Sequence, residues 1–257
     1  MINPMSMSGS NVIVTGAAQG IGEAVARLAV EMGAHVSIVD LQEDKLRAFG
    51  EDLGAENADV YVGSVAEPGF VQDMVGQVAD KRGAIHGLVN NAGIVRAAMI
   101  HKMAIETWQQ VIDVNLSGVF YCLQAVGRHM MDRAKDGDEA PGAIVNISSD
   151  AGRRGTIGQI NYGAAKSGVM GLTMSSAREW ARYGIRVNSI CFGVVETEMT
   201  EVIRSDKFRD GILAQVPLGR FSTPEEVSQP VCFLLSNAAS YITGQHLSVN
   251  GGYTIGV

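Results

Sequence analysis

Residues 11–15, Asn-Val-Ile-Val-Thr, are a short β-branched run that leads without a break into Thr15-Gly16-Ala17-Ala18-Gln19-Gly20-Ile21-Gly22. A strand that ends on closely spaced glycines and then opens into helical periodicity over 20–32 has few folded solutions. Glycine permits the tight turn and the close approach of other backbone. The start of the helix presents free N–H donors and the positive end of its dipole. Gly33 is placed to stop that helix. A second apolar run, 35–40, follows and ends in Asp40. Strand, crossover helix and strand in about thirty residues is the unit of a parallel sheet.

The alternation continues. Strands are predicted over 59–62, 85–90, 143–148, 186–190 and 246–249. Helices are predicted from about 43, over 68–81, in two stretches within 105–133, and over 162–183. The strands are mostly apolar along their length, as when helices cover both faces. An α/β sheet enzyme can use 257 residues as one domain. The expectation is a single domain over 1–257, with no linker. The polar stretch 132–141 reads as a solvated connection. The segment 196–217 is long for a connection and is expected to form an active-site lid.

Composition removes several classes. Hydrophobic residues make up 46% of the chain, enough for a core and too many for a disordered one. No apolar run reaches the roughly 18–20 residues of a membrane span. The N-terminus lacks the charged and apolar regions of a signal peptide. A net charge of −7 argues against nucleic acid as partner. The three cysteines, Cys122, Cys191 and Cys232, are far apart and fit a reducing, cytoplasmic setting. The five histidines show no metal-ligand spacing, so no metal is expected.

A glycine turn alone also fits a loop with no ligand. Asp40 sharpens the reading, because an acidic residue about twenty positions after the turn is where a dinucleotide's ribose is bound. Its carboxylate can accept from both ribose hydroxyls of NAD and would repel the 2′-phosphate of NADP. No Arg or Lys stands in the turn or directly after Asp40, where Gln19 and Leu41 are found. NAD is therefore expected over NADP.

Tyr162-Gly-Ala-Ala-Lys166 places a phenol and an ammonium on one face of a helix. A nearby ammonium favours the phenolate, and such a tyrosine can exchange a proton with a substrate oxygen near neutral pH. An ordinary exposed pair has the same spacing. Ser149 closes the fifth predicted strand, and ligands of open α/β sheets bind outside the carboxyl ends of strands. Ser148 is its adjacent rival. Asn115 sits where helix is predicted, although Asn forms helix poorly.

These residues resemble those of the short-chain dehydrogenases/reductases, in the compact form of about 250 residues. The resemblance covers nearly the whole chain. It is carried by Thr15–Gly22, Asn90-Asn91-Ala92-Gly93, Asn115, Ser149, Tyr162-x-x-x-Lys166 and the tail Tyr241-Ile-Thr-Gly-Gln with Val249-Asn-Gly-Gly. It implies a Rossmann-type, doubly wound sheet of about seven parallel strands with helices on both faces. It selects Ser149 over Ser148 and implies a catalytic tetrad of Asn115, Ser149, Tyr162 and Lys166. Tyr162 is then the general acid/base of a hydride transfer between nicotinamide and a secondary alcohol or ketone. Ser149 holds the substrate oxygen. Lys166 lowers the tyrosine pKa and contacts the nicotinamide ribose, and Asn115 bends its helix and supports a proton relay. The cofactor would lie along Gly16, Gln19, Gly20, Ile21, Gly22, Asp40, Leu41, Ser64, Val65, Asn91, Ala92 and Gly93, with Val195 and Thr197 near its carboxamide. The resemblance also implies a homotetramer.

Two positions depart from the family pattern. Ser64 stands where an Asp normally bonds the adenine amino group, and Phe192 stands where a Pro normally lies beside the nicotinamide. Phe192 either reshapes the pocket or packs in the core. Arg96 and the run 211–219 look most like 3-oxoacyl-[acyl-carrier-protein] reductases. Those enzymes usually prefer NADPH and dock an acidic carrier through arginines, at positions held here by Ala143 and Tyr183. Asp150, Arg153 and Arg154 either reach the cleft mouth or are simply solvated. Met199, Val202 and Ile203 suggest a partly apolar lid. The reading is an NAD(H)-dependent alcohol/ketone oxidoreductase acting on a small molecule. The alternatives are the carrier-protein reductase and an NAD-binding sensor or scaffold without turnover.

Overall fold

In the computed structural model, which describes residues 3–256, seven parallel strands form one sheet in the order β3-β2-β1-β4-β5-β6-β7. The outer limits of the expected 1–257 domain lie outside the described residues. The strands are β1 (Asn11–Thr15), β2 (His35–Asp40), β3 (Ala58–Val62), β4 (Gly87–Asn90), β5 (Gly142–Ser149), β6 (Ile185–Phe192) and β7 (His246–Val249). The order reverses between β1 and β4. That leaves a crevice outside the carboxyl ends of these two strands, where an open sheet of this kind binds ligands.

Strand pleating sends alternate side chains to opposite faces. Val12 and Val14 of β1 enter one core, with Val36 and Ile38 of β2. Ile13 enters the other, with Val39 and Leu88. Helices α1 (Gly20–Glu31), α2 (Glu43–Leu53) and α10 (Pro224–Leu235) cover the first face. Helices α3 (Pro68–Arg82), α5 (Gly118–Lys135) and α7 (Ile160–Trp180) cover the second. Gly33 takes φ +95° directly after the first of these helices, as its position predicts.

Several boundaries differ from the sequence reading by a residue or two, β4 beginning at Gly87 rather than at 85, and three larger differences stand out. β6 runs on through Cys191 and Phe192, because these residues pair with Ser248 and Val249 of β7. The helix predicted over 162–183 is α7 followed by a single 3-10 turn, Ala181–Tyr183, which ends at Gly184 in a left-handed conformation. The helices predicted within 105–133 are α4 (Ile105–Ile112) and α5, joined by a π-helical turn, Asp113–Ser117. The segment 196–217 contains a 3-10 turn, Glu198–Thr200, and two short helices, α8 (Glu201–Arg204) and α9 (Asp206–Leu213). Among the described residues no helix is long and apolar enough to cross a membrane.

Candidate active site

The glycine turn is held by backbone before any ligand is considered. Gly16 N donates to Val39 O at 2.8 Å, tying the turn to the end of β2. Asn91 Nδ2 donates to Thr15 O and Gly16 O, both at 3.0 Å, tying it to the end of β4. The packing leaves no room for a side chain at Gly22, where a Cβ would fall 2.1 Å from Gly16 O. Gly16 itself has φ +67° and lies against the backbone of Ala92. No side chain caps the start of α1, so its first N–H groups remain available to a ligand.

A cavity of about 600 Å³ opens against this helix start. Of the expected cofactor residues, Gly16, Gln19, Gly20, Ile21, Asp40, Leu41, Ser64, Val65, Asn91, Ala92, Gly93 and Thr197 line it. Gly22, Tyr162, Lys166 and Val195, also expected to bind the cofactor, do not line it. Gly22 is spent on turn packing, and Val195 is buried in the core. Asp40 Oδ2 accepts from Ala18 N at 3.1 Å, and Oδ1 from Gln42 N at 3.0 Å. Its carboxylate is thus fixed at the rim with no basic partner of its own. Ser64 Oγ accepts from Ala66 N at 3.2 Å in a local turn. The size of the cavity, the uncapped helix start and the fixed carboxylate fit a nucleotide cofactor.

The second group of residues gathers at the carboxyl end of β5 and the start of α7. Ser149 ends β5, and its Oγ accepts from Ala151 N at 3.2 Å. Tyr162 is half-buried beside it. Burial pushes the phenol above its ordinary value, and the Ser149 hydroxyl opposes that rise. Lys166 is buried, and Nζ donates to Ile147 O at 2.7 Å, 5.7 Å from the centre of the Tyr162 ring. Burial lowers its pKa to about 8. Lys166 is not among the groups that act on the phenol here. Desolvation dominates the phenol, and the ammonium points at a carbonyl. Ser148, the rival serine, donates to Lys166 O at 2.8 Å and is buried, which removes it from the candidate site.

Asn115 lies in the π-helical turn, fully buried. Its Oδ1 accepts from Ile94 N at 2.9 Å and its Nδ2 donates to Ile94 O at 3.0 Å. The amide thereby ties the π turn to the loop that follows β4.

Phe192 packs in the core, 4% exposed, which decides between its two readings. Arg153 donates to Ser248 Oγ and His246 O, both at 2.7 Å. Arg154 stacks on Tyr253, 4.0 Å from the ring centre. Asp150 is buried, pushed above the usual carboxylate range by that burial, and accepts from Asn250 Nδ2 at 2.8 Å. None of the three lines the cavity: Asp150 is buried, Arg153 is half-buried, and Arg154 is exposed to solvent. They fasten α6 (Ala151–Arg154) to the C-terminal tail. Sequence reasoning missed Asn161, whose Nδ2 donates to Arg96 O at 3.0 Å and whose Oδ1 accepts from Tyr162 N at 2.8 Å. An Asn directly before the tyrosine is the one signal it offered. Among the described residues no cluster of His, Cys, Asp or Glu is placed to hold a metal ion.

A family model described as enoyl-(acyl carrier protein) reductase matches residues 16–254. The chain is 41% identical to the 3-oxoacyl-[acyl-carrier-protein] reductase of Thermotoga maritima over 253 residues, 98% of this chain and 100% of that protein. It is 40% identical to the reductase of the same name from Vibrio cholerae, over 96% of this chain and 98% of that one. A crystal structure of a short-chain type dehydrogenase/reductase from Mycobacterium marinum superposes with a TM-score of 0.90 at 32% identity, covering 98% of each chain. The chain is a short-chain dehydrogenase/reductase. The fold of this short-chain dehydrogenase/reductase is also that of a gluconate 5-dehydrogenase from Burkholderia cenocepacia, solved with NADP and tartrate. That match has a TM-score of 0.92 at 35% identity, over 99% of this chain and 98% of the other. The chain is accordingly an oxidoreductase of the alcohol/ketone type that works with a nucleotide cofactor.

Proposed function

We propose that the protein is an NAD-dependent oxidoreductase of class EC 1.1.1.- that interconverts a secondary alcohol and a ketone, with Tyr162 as general acid/base. One observation carries the reading. The Ser149–Tyr162 pair, at the end of β5, and the cavity rimmed by Asp40, at the ends of β1, β2 and β4, lie along the same carboxyl edge of one parallel sheet. The residues present fit a dinucleotide. Gly16, Gln19, Gly20 and Ile21 would hold its pyrophosphate, Asp40 and Leu41 the adenosine ribose, and Ser64 and Val65 the adenine. Asn91, Ala92 and Gly93 would lie along it, with Thr197 toward the carboxamide and the buried Val195 behind that end of the cavity. When bound, the nicotinamide gives or takes the hydride.

The chain's own residues do the rest. Ser149 donates a hydrogen bond to the substrate oxygen and fixes its position. Tyr162 gives a proton to that oxygen in reduction and takes it back in oxidation. Lys166 places a positive charge behind the phenol, and the Asn115 turn shapes the backbone beside it. A second reading of the substrate, a 3-oxoacyl thioester on a carrier protein, is supported by the names of the curated relatives. The family model's enoyl description fits less well, because enoyl reductases of this fold space Tyr and Lys more widely than Tyr162 and Lys166.

We read residues 1–257 as one domain, with 196–217 as the cover over the cleft and the whole as a homotetramer. The exposed Phe120 and Met174, on α5 and α7, suit contact between copies. Three unpaired, buried cysteines are compatible with a cytoplasmic setting.

The test follows absorbance at 340 nm with NAD(H) and NADP(H). The panel holds secondary alcohols, hydroxy acids and 3-hydroxyacyl thioesters, with the matching ketones in reverse. Turnover is expected to fall about 10²–10⁴-fold in Tyr162→Phe while dinucleotide binding is kept. Equal turnover in the variant would overturn the role of Tyr162. Tight NAD binding without turnover on any member of the panel would favour the sensor.

A further inference from the structure

The side chain of Asn161 is fully buried in the first turn of α7, one residue before Tyr162. Backbone donors in a first turn have no helical carbonyl to meet, and Gln159, at the head of this helix, offers them no side-chain cap. Asn161 Oδ1 accepts from Tyr162 N at 2.8 Å. Its Nδ2 donates to Arg96 O at 3.0 Å, in the loop that follows β4, and to Thr107 O at 3.3 Å, in α4. One side chain thus joins the main chain of the tyrosine to two other elements. The same loop carries Gly93 and Ile94, which line the cavity, and Asn115 holds it at Ile94. Two residues on, Asn161 holds it at Arg96. A further bond, from Ala98 N to Gly158 O at 2.9 Å, ties the loop to the segment that leads into α7.

The loop after β4 and the start of α7 are far apart along the chain, so no covalent link sets the spacing between the cavity wall and the phenol. Proton transfer is sensitive to that spacing, and a misplacement of about 1 Å can cost on the order of 10²-fold in rate. Burying an amide carries a desolvation cost unless its polar atoms are bonded. Asn161 spends its oxygen and its nitrogen on main-chain partners, and does not line the cavity. We infer that Asn161 is a positioning residue, which fixes Tyr162 against the loop that walls the cofactor cavity. It touches neither substrate nor cofactor and acts through the tyrosine. Asn115 and Asn161 then peg one loop from two sides, the first from the π turn and the second from the head of α7. The inference rests on the reading of Tyr162 as general acid/base.

Steady-state kinetics separate positioning from general loosening. The substrate is the panel member that the wild type turns over fastest, and the dinucleotide, NADH or NADPH, is titrated calorimetrically on the whole chain. Asn161→Ala is expected to lower kcat about 10–100-fold, with KM and the dinucleotide Kd held within about twofold. Asn161→Ser, whose hydroxyl both donates and accepts, is expected to recover part of the loss. It carries the test if Asn161→Ala does not fold. In a Tyr162→Phe background Asn161→Ala is expected to cost less than about threefold, because the hydroxyl it positions is gone. An unchanged kcat in the folded variants overturns the inference. So does a fall in kcat matched by an equal weakening of the dinucleotide, or an undiminished effect in Tyr162→Phe. If Tyr162→Phe alone keeps full turnover, or the wild type turns over no member of the panel, the general acid/base reading fails and the positioning role with it.

Discussion

Lys166 shows what sequence spacing conveys and what it leaves out. The Tyr-x-x-x-Lys interval identifies the two residues and puts them on one helical face. It does not say that the ammonium turns to Ile147 O, or that burial lowers its pKa to about 8. Below pH 8 the folded and unfolded chains both carry the proton, and the folded state bears the full cost of the buried charge. Between pH 8 and the unfolded value of 10.5 the folded chain has shed a proton that the unfolded chain still binds, so stability rises with pH. Lys166→Met lacks this dependence. Urea unfolding of both proteins from pH 7 to 10 is expected to show the wild type gaining on the variant by on the order of 2 kcal/mol. A difference that stays flat with pH would mean that the ammonium is not paying a desolvation cost. Ser149 and Phe192 tell the same story at single positions. Choosing Ser149 over Ser148 needed a family spacing at first, and the buried bond of Ser148 to Lys166 O supplies the physical reason.

At the scale of elements, periodicity located most strands and helices, since both faces of the sheet are covered and the helices are amphipathic. It failed where the cause is non-local. β6 is longer than predicted because β7, far along the chain, pairs with its end. The helices α8 and α9 are too short and polar to stand out from a loop. Asn115 was visible as a misfit in a helix, but its partner Ile94 was not. This amide satisfies both the N–H and the C=O of Ile94 from a fully buried site. Asn115→Leu leaves the half-buried N–H and C=O of Ile94 without their partner, at a cost of about 1–3 kcal/mol each. Calorimetry is expected to show Tm lower by roughly 5–15 °C. A change under about 1 °C would mean that the loop re-forms its bonds elsewhere.

The whole molecule divides its labour between the two ends of the sheet. All the candidate site residues stand at the carboxyl ends of the strands. At the amino ends the buried Asp59 of β3 meets Lys81 Nζ and Arg82 Nε, each at 2.7 Å, and His35 Nε2 at 3.1 Å. Burial alone pushes this carboxyl up, but the hydrogen bonds from Arg82 and Lys81 win and hold it well below the usual carboxylate range. In the sequence Asp59 reads only as the polar start of a weak strand, because its partners come from the end of α3 and the start of β2. A group with a lowered folded pKa stabilises above its unfolded value, about 3.9, and loses that contribution as pH falls through the acid range. Asp59→Asn is therefore expected to cost roughly 2–3 kcal/mol at pH 7, with the gap to wild type closing in acid. Because this cluster sits at the opposite end of the sheet, turnover by the surviving folded enzyme at 20 °C should be unchanged. Unfolding curves at pH 7 and pH 3.5, together with kcat, check both halves. A variant that keeps its stability but loses turnover would show that the two ends of the sheet are coupled.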